Sequence, residues 1–146
     1  MKKISKIINC FKNFKLYKAY LRGVSPLFEL SPLLKKINNA KTLIDVGSNK
    51  GQFILITNIF FPNVDVHSFE PQTDELNLQK KILDLKNIKF YNFALGNCEK
   101  TSNFYITKRK DSSSLLKPEI SGGKTYQTQK VKKIIVKKLD NIKQLQ

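Results

Sequence analysis

The stretch from Thr42 to Phe53, TLIDVGSNKGQF, decides the fold. Leu43, Ile44, Asp45 and Val46 suit a buried strand, and they run straight into Gly47-Ser48-Asn49-Lys50-Gly51 and then into an apolar, helix-like segment. An acidic residue inside such a strand is costly unless a polar group meets it. A strand, a glycine turn and a helix in that order are the way an α/β fold presents a nucleotide-type cofactor at the carboxyl end of a strand.

Moving outward, the pattern repeats. Thr42 to Val46 reads as strand, Lys50 to Phe61 as helix, Val64 to Phe69 as strand, Thr73 to Leu85 as helix and Ile88 to Leu95 as strand, with breaks at Pro62-Asn63 and Lys86-Asn87. Strands separated by helices of this length predict βαβ units and a parallel sheet. Lys100 to Lys108 and Lys130 to Leu139 then read as a late antiparallel strand pair around the polar loop KDSSSLLKPEISGGKTYQTQ. In the tail LDNIKQLQ, Asp140 stands where a helix N-cap belongs. Upstream, residues 1 to 22 place Ile4, Ile7, Ile8, Phe11 and Phe14 at helical spacing opposite lysines, a basic amphipathic helix that packs its stripe on the domain or lies on a membrane surface. The expected organisation is this helix over 1–24 and a Rossmann-like domain over 25–146.

A chain of 146 residues with a formal charge of +16 can hold one ordinary domain. Only two of its 27 basic residues, Arg22 and Arg109, are arginines, and phosphate recognition favours the arginine fork. Lysine alongside abundant Asn and Ile is therefore read as a bias of overall composition, with no nucleic acid expected as a partner. Cys10 and Cys98 lack metal-binding spacing and suit a reduced, cytoplasmic compartment. With His67 as the sole histidine, a catalytic triad or multi-histidine metal site is nearly excluded, and His67 itself reads as a packed or solvent-facing ring. No apolar run is long enough to span a membrane.

Three signals fall at strand ends, where open α/β sheets bind ligands. DVGSNKG supplies Gly47 for a tight turn and Gly51 for close helix packing. SFEP places Glu70 at the end of the second strand, 23 residues after Gly47, where a carboxylate accepts hydrogen bonds from ribose hydroxyls. YNFALGN closes the third strand, and its backbone and Asn92 are suited to line an adenine pocket. The glycine pattern fits neither G-x-G-x-x-G nor a phosphate-binding loop, which favours a cofactor without a pyrophosphate, such as S-adenosylmethionine. Read from the residues alone, Asp45 either meets a polar group of the cofactor or is a structural residue bonded to turn amides.

At these residues the chain resembles the FkbM-type S-adenosylmethionine-dependent methyltransferases: LIDVGSNKGQF looks like the family's first motif, SFEPQTDELNLQ its acidic second and NFALGN its third, while DSSSLL and VKKLDNI resemble later, looser blocks. The likeness runs from about Leu33 to Ile142. It implies a class I methyltransferase fold acting on oxygen of a sugar or other small hydroxylated acceptor, a glycan included. It also implies that Asp45, Gly47, Asn49 and Gly51 surround the methionine part of the cofactor, with Ser48 and Pro71 in the same binding set, Glu70 on the ribose and Asn92, Ala94 and Leu95 near the adenine. Ser113 and Ser114 would face the acceptor, although Ser112 to Ser114 read equally well as a flexible turn.

The family's later strand, of the type K-I-D-x-E-G-x-E, has no counterpart here, so the resemblance is to a C-terminally truncated member and no catalytic base can be named. TLIDV, apolar on both faces, reads as an interior strand. Its far side would then be covered by the late strand pair or by a second copy of the chain in a homo-oligomer, unless the reading frame is a fragment. Two rival readings stand beside the enzyme: an inactive cofactor-binding remnant, and a basic module for nucleic acid or membrane surfaces.

Overall fold

The computed structural model describes residues 13–118 and 126–145. The chain forms two compact units, divided between Asn92 and Phe93.

The first unit opens with α1, Phe14–Leu21. Asn13 caps it by accepting from the amide of Lys15, and it closes in a Schellman motif, with Gly23 N donating to Tyr20 O at 2.9 Å and Val24 N to Ala19 O at 3.0 Å. The helix buries Leu16 and Ala19, whereas Phe14, expected on the packed stripe, is 79% exposed. The rest of that stripe, Ile4, Ile7, Ile8 and Phe11, lies outside the described residues. A turn of 3-10 helix, Phe28–Leu30, and the short α2, Ser31–Leu34, lead to β1, Thr42–Val46. Then follow α3, Gln52–Phe60, β2, Asp65–Phe69, α4, Thr73–Ile82, and β3, Ile88–Tyr91.

The three strands form a parallel sheet in the order β1-β2-β3, in register Ile44 to His67 and Ser68 to Phe90. This is the Rossmann-like α/β arrangement the sequence predicts. Its core gathers Leu16, Val24, Ile54, Ile56, Val66 and Ile82. Arg22 Nη1 donates to Lys81 O at 2.9 Å and Lys15 Nζ to Asp84 O at 3.1 Å, so two cations of the N-terminal segment satisfy carbonyls at the end of α4, where the helix dipole is negative.

The second unit is a mixed sheet of β4, Ala94–Leu95, β5, Lys100–Thr107, and β6, Thr128–Lys137, in the order β4-β6-β5. β5 and β6 are antiparallel, as expected, and slip at a bulge between Ile106 and Thr107; β4 runs parallel to β6. One face of this ribbon buries Phe104, Ile134 and Val136. A Cβ on Gly96 would stand 2.7 Å from Val136 Cγ1, which explains a glycine beside the β4–β6 pairing.

Three sequence expectations need correction. The third strand ends at Tyr91, not Leu95, because Ala94 and Leu95 pair with Val136 and Lys137 of β6. β1 is not an interior strand: among the described residues it pairs only with β2, and Val46 is 58% exposed. The tail makes only 3-10 turns, and Asp140 lies inside the first of them rather than capping it, a place taken by Lys138.

Candidate functional site

The carboxyl ends of β1 and β2 are joined by hydrogen bonds through the turn that follows β1. Gly47 N and Ser48 N both donate to Phe69 O, at 2.9 and 3.1 Å, which folds the turn back over β2. Gly47 and Gly51 have φ of +73° and +78°, the left-handed region that glycine enters without penalty, and Asn49, at φ 48°, occupies it as the one non-glycine among the described residues. Open space surrounds a Cβ built on Gly47, so conformation alone demands glycine there. At Gly51 space is also required: its Cβ would meet Leu83 Cδ1 at 2.9 Å and Gln79 Cγ at 3.4 Å. The close approach that the sequence suggested at Gly51 is therefore to the end of α4. Gly51 caps α3, so the helix starts at Gln52 rather than Lys50.

Glu70 follows β2 directly, and its own amide donates to Tyr91 O at 3.0 Å, continuing the parallel ladder. Its carboxylate is 3% exposed and is held at both oxygens, by Asn49 N to Oε2 at 2.7 Å and Gln72 N to Oε1 at 2.8 Å. Each carboxylate oxygen has two lone pairs, so these two amides do not exhaust the acceptor capacity of Glu70. Burial pushes the Glu70 carboxyl above its usual range, against the two amides that favour the charge. Half-buried Pro71 and Gln72 follow it.

Asp45, on β1, has its carboxyl raised to about 6, first by burial and then by the charge of Glu70. Three buried side-chain atoms among the described residues lack a hydrogen-bond partner: Asp45 Oδ2, Asn49 Oδ1 and, away in α3, Thr57 Oγ1. Two of the three thus fall on the strand and turn singled out by the sequence. Native interiors rarely leave such atoms unmet, and a group bearing N–H donors would satisfy both.

Beneath the turn lies a polar network. Ser48 Oγ and Ser68 Oγ are 2.7 Å apart; Ser68 Oγ donates to Gln79 Oε1 at 2.6 Å, and Gln79 Nε2 donates to Ser48 Oγ at 2.8 Å and also to Asn49 O. Gln79 is 0% exposed and uses both ends of its amide to pin the turn to α4 and β2. Sequence reasoning missed it, although one signal was present: it lies on the helix stripe of Leu76, Ile82 and Leu83, where a polar residue must find partners. Ser48, expected as a cofactor residue, spends its hydroxyl on this network.

The remaining expected residues divide between the units. Asn92 Nδ2 donates to Glu70 O at 2.9 Å, and Asn92 Oδ1 accepts from Thr73 Oγ1 at 3.0 Å, so its amide clips the end of β2 to the start of α4. Ala94 and Leu95 belong to the second unit as β4. So do Ser113, whose Oγ accepts from Thr107 N at 3.3 Å, and Ser114, which bridges Tyr105 in the backbone and accepts at Oγ from Leu116 N at 3.1 Å. His67 is buried, with Nδ1 3.0 Å from Tyr91 Oη and its ring stacked on Tyr91; burial and Lys89 lower its pKa. It is the packed imidazole of the sequence reading.

No family model matches this chain, and no solved structure matches it. The chain is similar to the ribosomal RNA small subunit methyltransferase G of Campylobacter fetus subsp. fetus, 30% identical over 107 residues, which are 70% of this chain and 59% of that protein. It thus spans about three-fifths of the length of that relative. The similarity supports a methyltransferase in general and does not reach the FkbM family specifically. It also corrects the expectation that nucleic acid is not a partner, because the relative is by name a methyltransferase of ribosomal RNA. Lysine, unlike arginine, offers no planar fork but still neutralises phosphates as a point charge, so a scarcity of arginine does not exclude a nucleic-acid partner. No helix among the described residues is long and apolar enough to cross a membrane.

Proposed function

We propose that the carboxyl ends of β1 and β2, with the end of β3, bind S-adenosylmethionine and that the chain is a methyltransferase. The observation that carries this reading is the pair of buried, unpartnered oxygens on Asp45 and Asn49 beside a Glu70 carboxylate held at both oxygens. When bound, the cofactor supplies a methyl group already activated on a sulfonium. Asp45 would meet its ammonium group, which offsets the cost of burying the carboxylate. Glu70 would accept from the ribose hydroxyls through its remaining lone pairs, and Gly47, Ser48, Asn49, Gly51 and Pro71 would shape the walls, with Asn92 holding Glu70 in place. Ala94, Leu95, Ser113 and Ser114 belong to the second unit, and their roles near the adenine and the acceptor, within a cofactor-binding part over residues 25–146, rest on the motif resemblance alone. Methyl transfer of this kind asks the protein chiefly for alignment and electrostatics.

For the acceptor, the relative's name favours a polynucleotide of the ribosomal RNA class. Calorimetric titration with S-adenosylhomocysteine tests the cofactor site: the wild-type chain should bind, and Glu70→Ala should weaken binding by tenfold or more, about 1.5–3 kcal/mol for hydrogen bonds to a charged group. A wild-type chain that shows no binding heat would end this reading. Activity assays with tritiated cofactor then identify the acceptor, and labelling confined to small hydroxylated compounds would return it to the class implied by the motif resemblance.

A further inference from the structure

The net charge is unevenly spread. Residues 93–146 carry 12 basic and 4 acidic side chains, net +8, while the longer 1–92 carries 15 and 7, also +8. The strands β5 and β6 concentrate the excess: Lys100, Lys130, Lys132, Lys133 and Lys137 lie on them with no Asp or Glu. By contrast α4 balances Asp74 and Glu75 against Lys80 and Lys81.

Strand register sorts these residues onto two faces. Phe104, Ile134 and Val136 lie on the face that is buried, which also carries Lys100, Lys130 and Lys132, so of the five strand lysines Lys133 and Lys137 fall on the opposite face. The opposite face pairs Tyr105 with Val131, Asn103 with Lys133 and Thr101 with Ile135, and continues to Lys137. A displayed face of an antiparallel ribbon is ordinarily polar. Here Val131 and Ile135 are 47% and 55% exposed, flanked by exposed Lys133 and Lys137 and by the half-buried ring of Tyr105. Lys137 Nζ stands 4.9 Å over the Phe93 ring, which places a second aromatic beside the ammonium group. Apolar and aromatic surface framed by cations, with no carboxylate on either strand, complements a ligand that has flat apolar faces on an anionic backbone. Single-stranded nucleic acid has that chemistry: bases stack on rings and apolar side chains while lysines neutralise phosphates.

We infer that the exposed face of the β5–β6 ribbon, formed by Tyr105, Val131, Lys133, Ile135 and Lys137 with Phe93, is a docking surface for single-stranded RNA. The inference rests on the methyltransferase reading for the choice of RNA over other polyanions, and it identifies the surface that would hold the acceptor. A two-stranded ribbon cannot enter the deep, narrow major groove of duplex RNA, so unpaired segments are the substrate form it fits.

The test uses the full chain and a fluorescein-labelled oligouridylate, read by anisotropy from about 50 to about 200 mM salt. The wild type should bind, and affinity should fall steeply with salt. The double substitution Lys133→Glu with Lys137→Glu should cost tenfold or more and flatten the logarithmic salt slope by about 1.4, the value for two lost single-strand phosphate contacts. The milder pair Lys133→Gln with Lys137→Gln should flatten it equally, which covers a failure of the charge-reversed chain to fold. Tyr105→Leu should cost a few-fold with the slope unchanged. Lys35→Glu with Lys36→Glu, the same charge change on exposed residues of the first unit, should cost far less. Equal loss in that control, no binding by the wild type, or tighter binding to duplex RNA or to phosphatidylserine vesicles would each overturn the inference. Cofactor titration on the same preparations separates the two claims. Cofactor binding without RNA binding sinks the docking surface alone, whereas RNA binding without cofactor binding sinks the methyltransferase reading and leaves the surface standing.

Discussion

The two units solve the problem of polar residues in opposite ways. The first draws Ser48, Ser68, Glu70 and Gln79 inside, where their hydrogen bonds have fixed partners and little water competes. The second leaves Lys100, Lys108, Lys130, Lys133, Lys137 and Lys138 in solvent, where they cost little and stabilise little. Buried polarity therefore specifies the shape of the first unit, while exposed polarity in the second is free to meet a partner. The contrast predicts that substitutions in the first unit change stability and binding together, and that those in the second change binding alone.

The largest expected effect is at Gly51. Gly51→Ala adds a Cβ in a left-handed backbone against Leu83 and should destabilise the chain by roughly 2–4 kcal/mol in thermal or denaturant unfolding, from backbone strain plus overpacking. A loss under about 1 kcal/mol would show that the end of α4 yields and that the turn is less tightly specified than its geometry implies.

Gln79→Leu comes next. It keeps the volume near that of glutamine but leaves Ser48, Ser68 and the Asn49 carbonyl short of partners, at roughly 2–3 kcal/mol. Cofactor affinity should fall with stability, because the same amide fixes the turn. Unchanged affinity in a destabilised protein would separate the network from the site.

Asp45→Asn should act with the opposite sign on stability. The folded carboxyl titrates near 6 rather than at 3.8, so the native state holds its proton more tightly than the unfolded chain. The resulting penalty is absent below the unfolded value and grows as pH rises, reaching its full size above about 6. At pH 7 it amounts to at most about 3 kcal/mol. Removing it should stabilise the free protein at neutral pH, with the gain fading toward pH 4, while weakening cofactor binding. Unfolding curves at both pH values check the sign, and a destabilised Asp45→Asn at pH 7 would point instead to the carboxylate as a structural residue.

The smallest effect is expected at Lys133 and Lys137. Each replaced by alanine should shift stability by less than about 0.5 kcal/mol, as surface positions do, even where RNA affinity drops. A large loss of stability would mean that the displayed face is packed in solution and would erase the contrast between the units.

Much of the first unit was legible from residue order. Strand and helix periods reveal backbone geometry directly, and the glycines at 47 and 51 mark positions where only a residue without Cβ is at ease. Glu70 was legible for the same reason, because a strand that ends places the next side chain at the sheet's carboxyl edge. Gln79 was not legible as a site residue. Its partners lie 11 and 31 residues away in sequence, and only the packing of α4 against the turn brings them together. Asn92 was legible as a strand-end residue, but its bonds to Glu70 and Thr73 belong to the tertiary fold. The boundary at Tyr91 was missed because Ala94 and Leu95 continue an apolar run that is equally good strand in either sheet, and pairing with β6 decides the matter.

By itself the sequence determined the α/β class, the alternation of strands and helices in the first unit and the first two strand ends where polar and glycine residues gather, because these depend on local periodicity and on backbone conformations each residue can adopt. Only the tertiary structure decided that β1 lies at an edge among the described residues, that Asp45 and Asn49 keep unmet buried oxygens, and that Lys133 and Lys137 share the displayed face of the late ribbon with Val131 and Ile135. Those outcomes depend on strand pairing and burial between residues far apart in the chain, and local propensity carries no information about them.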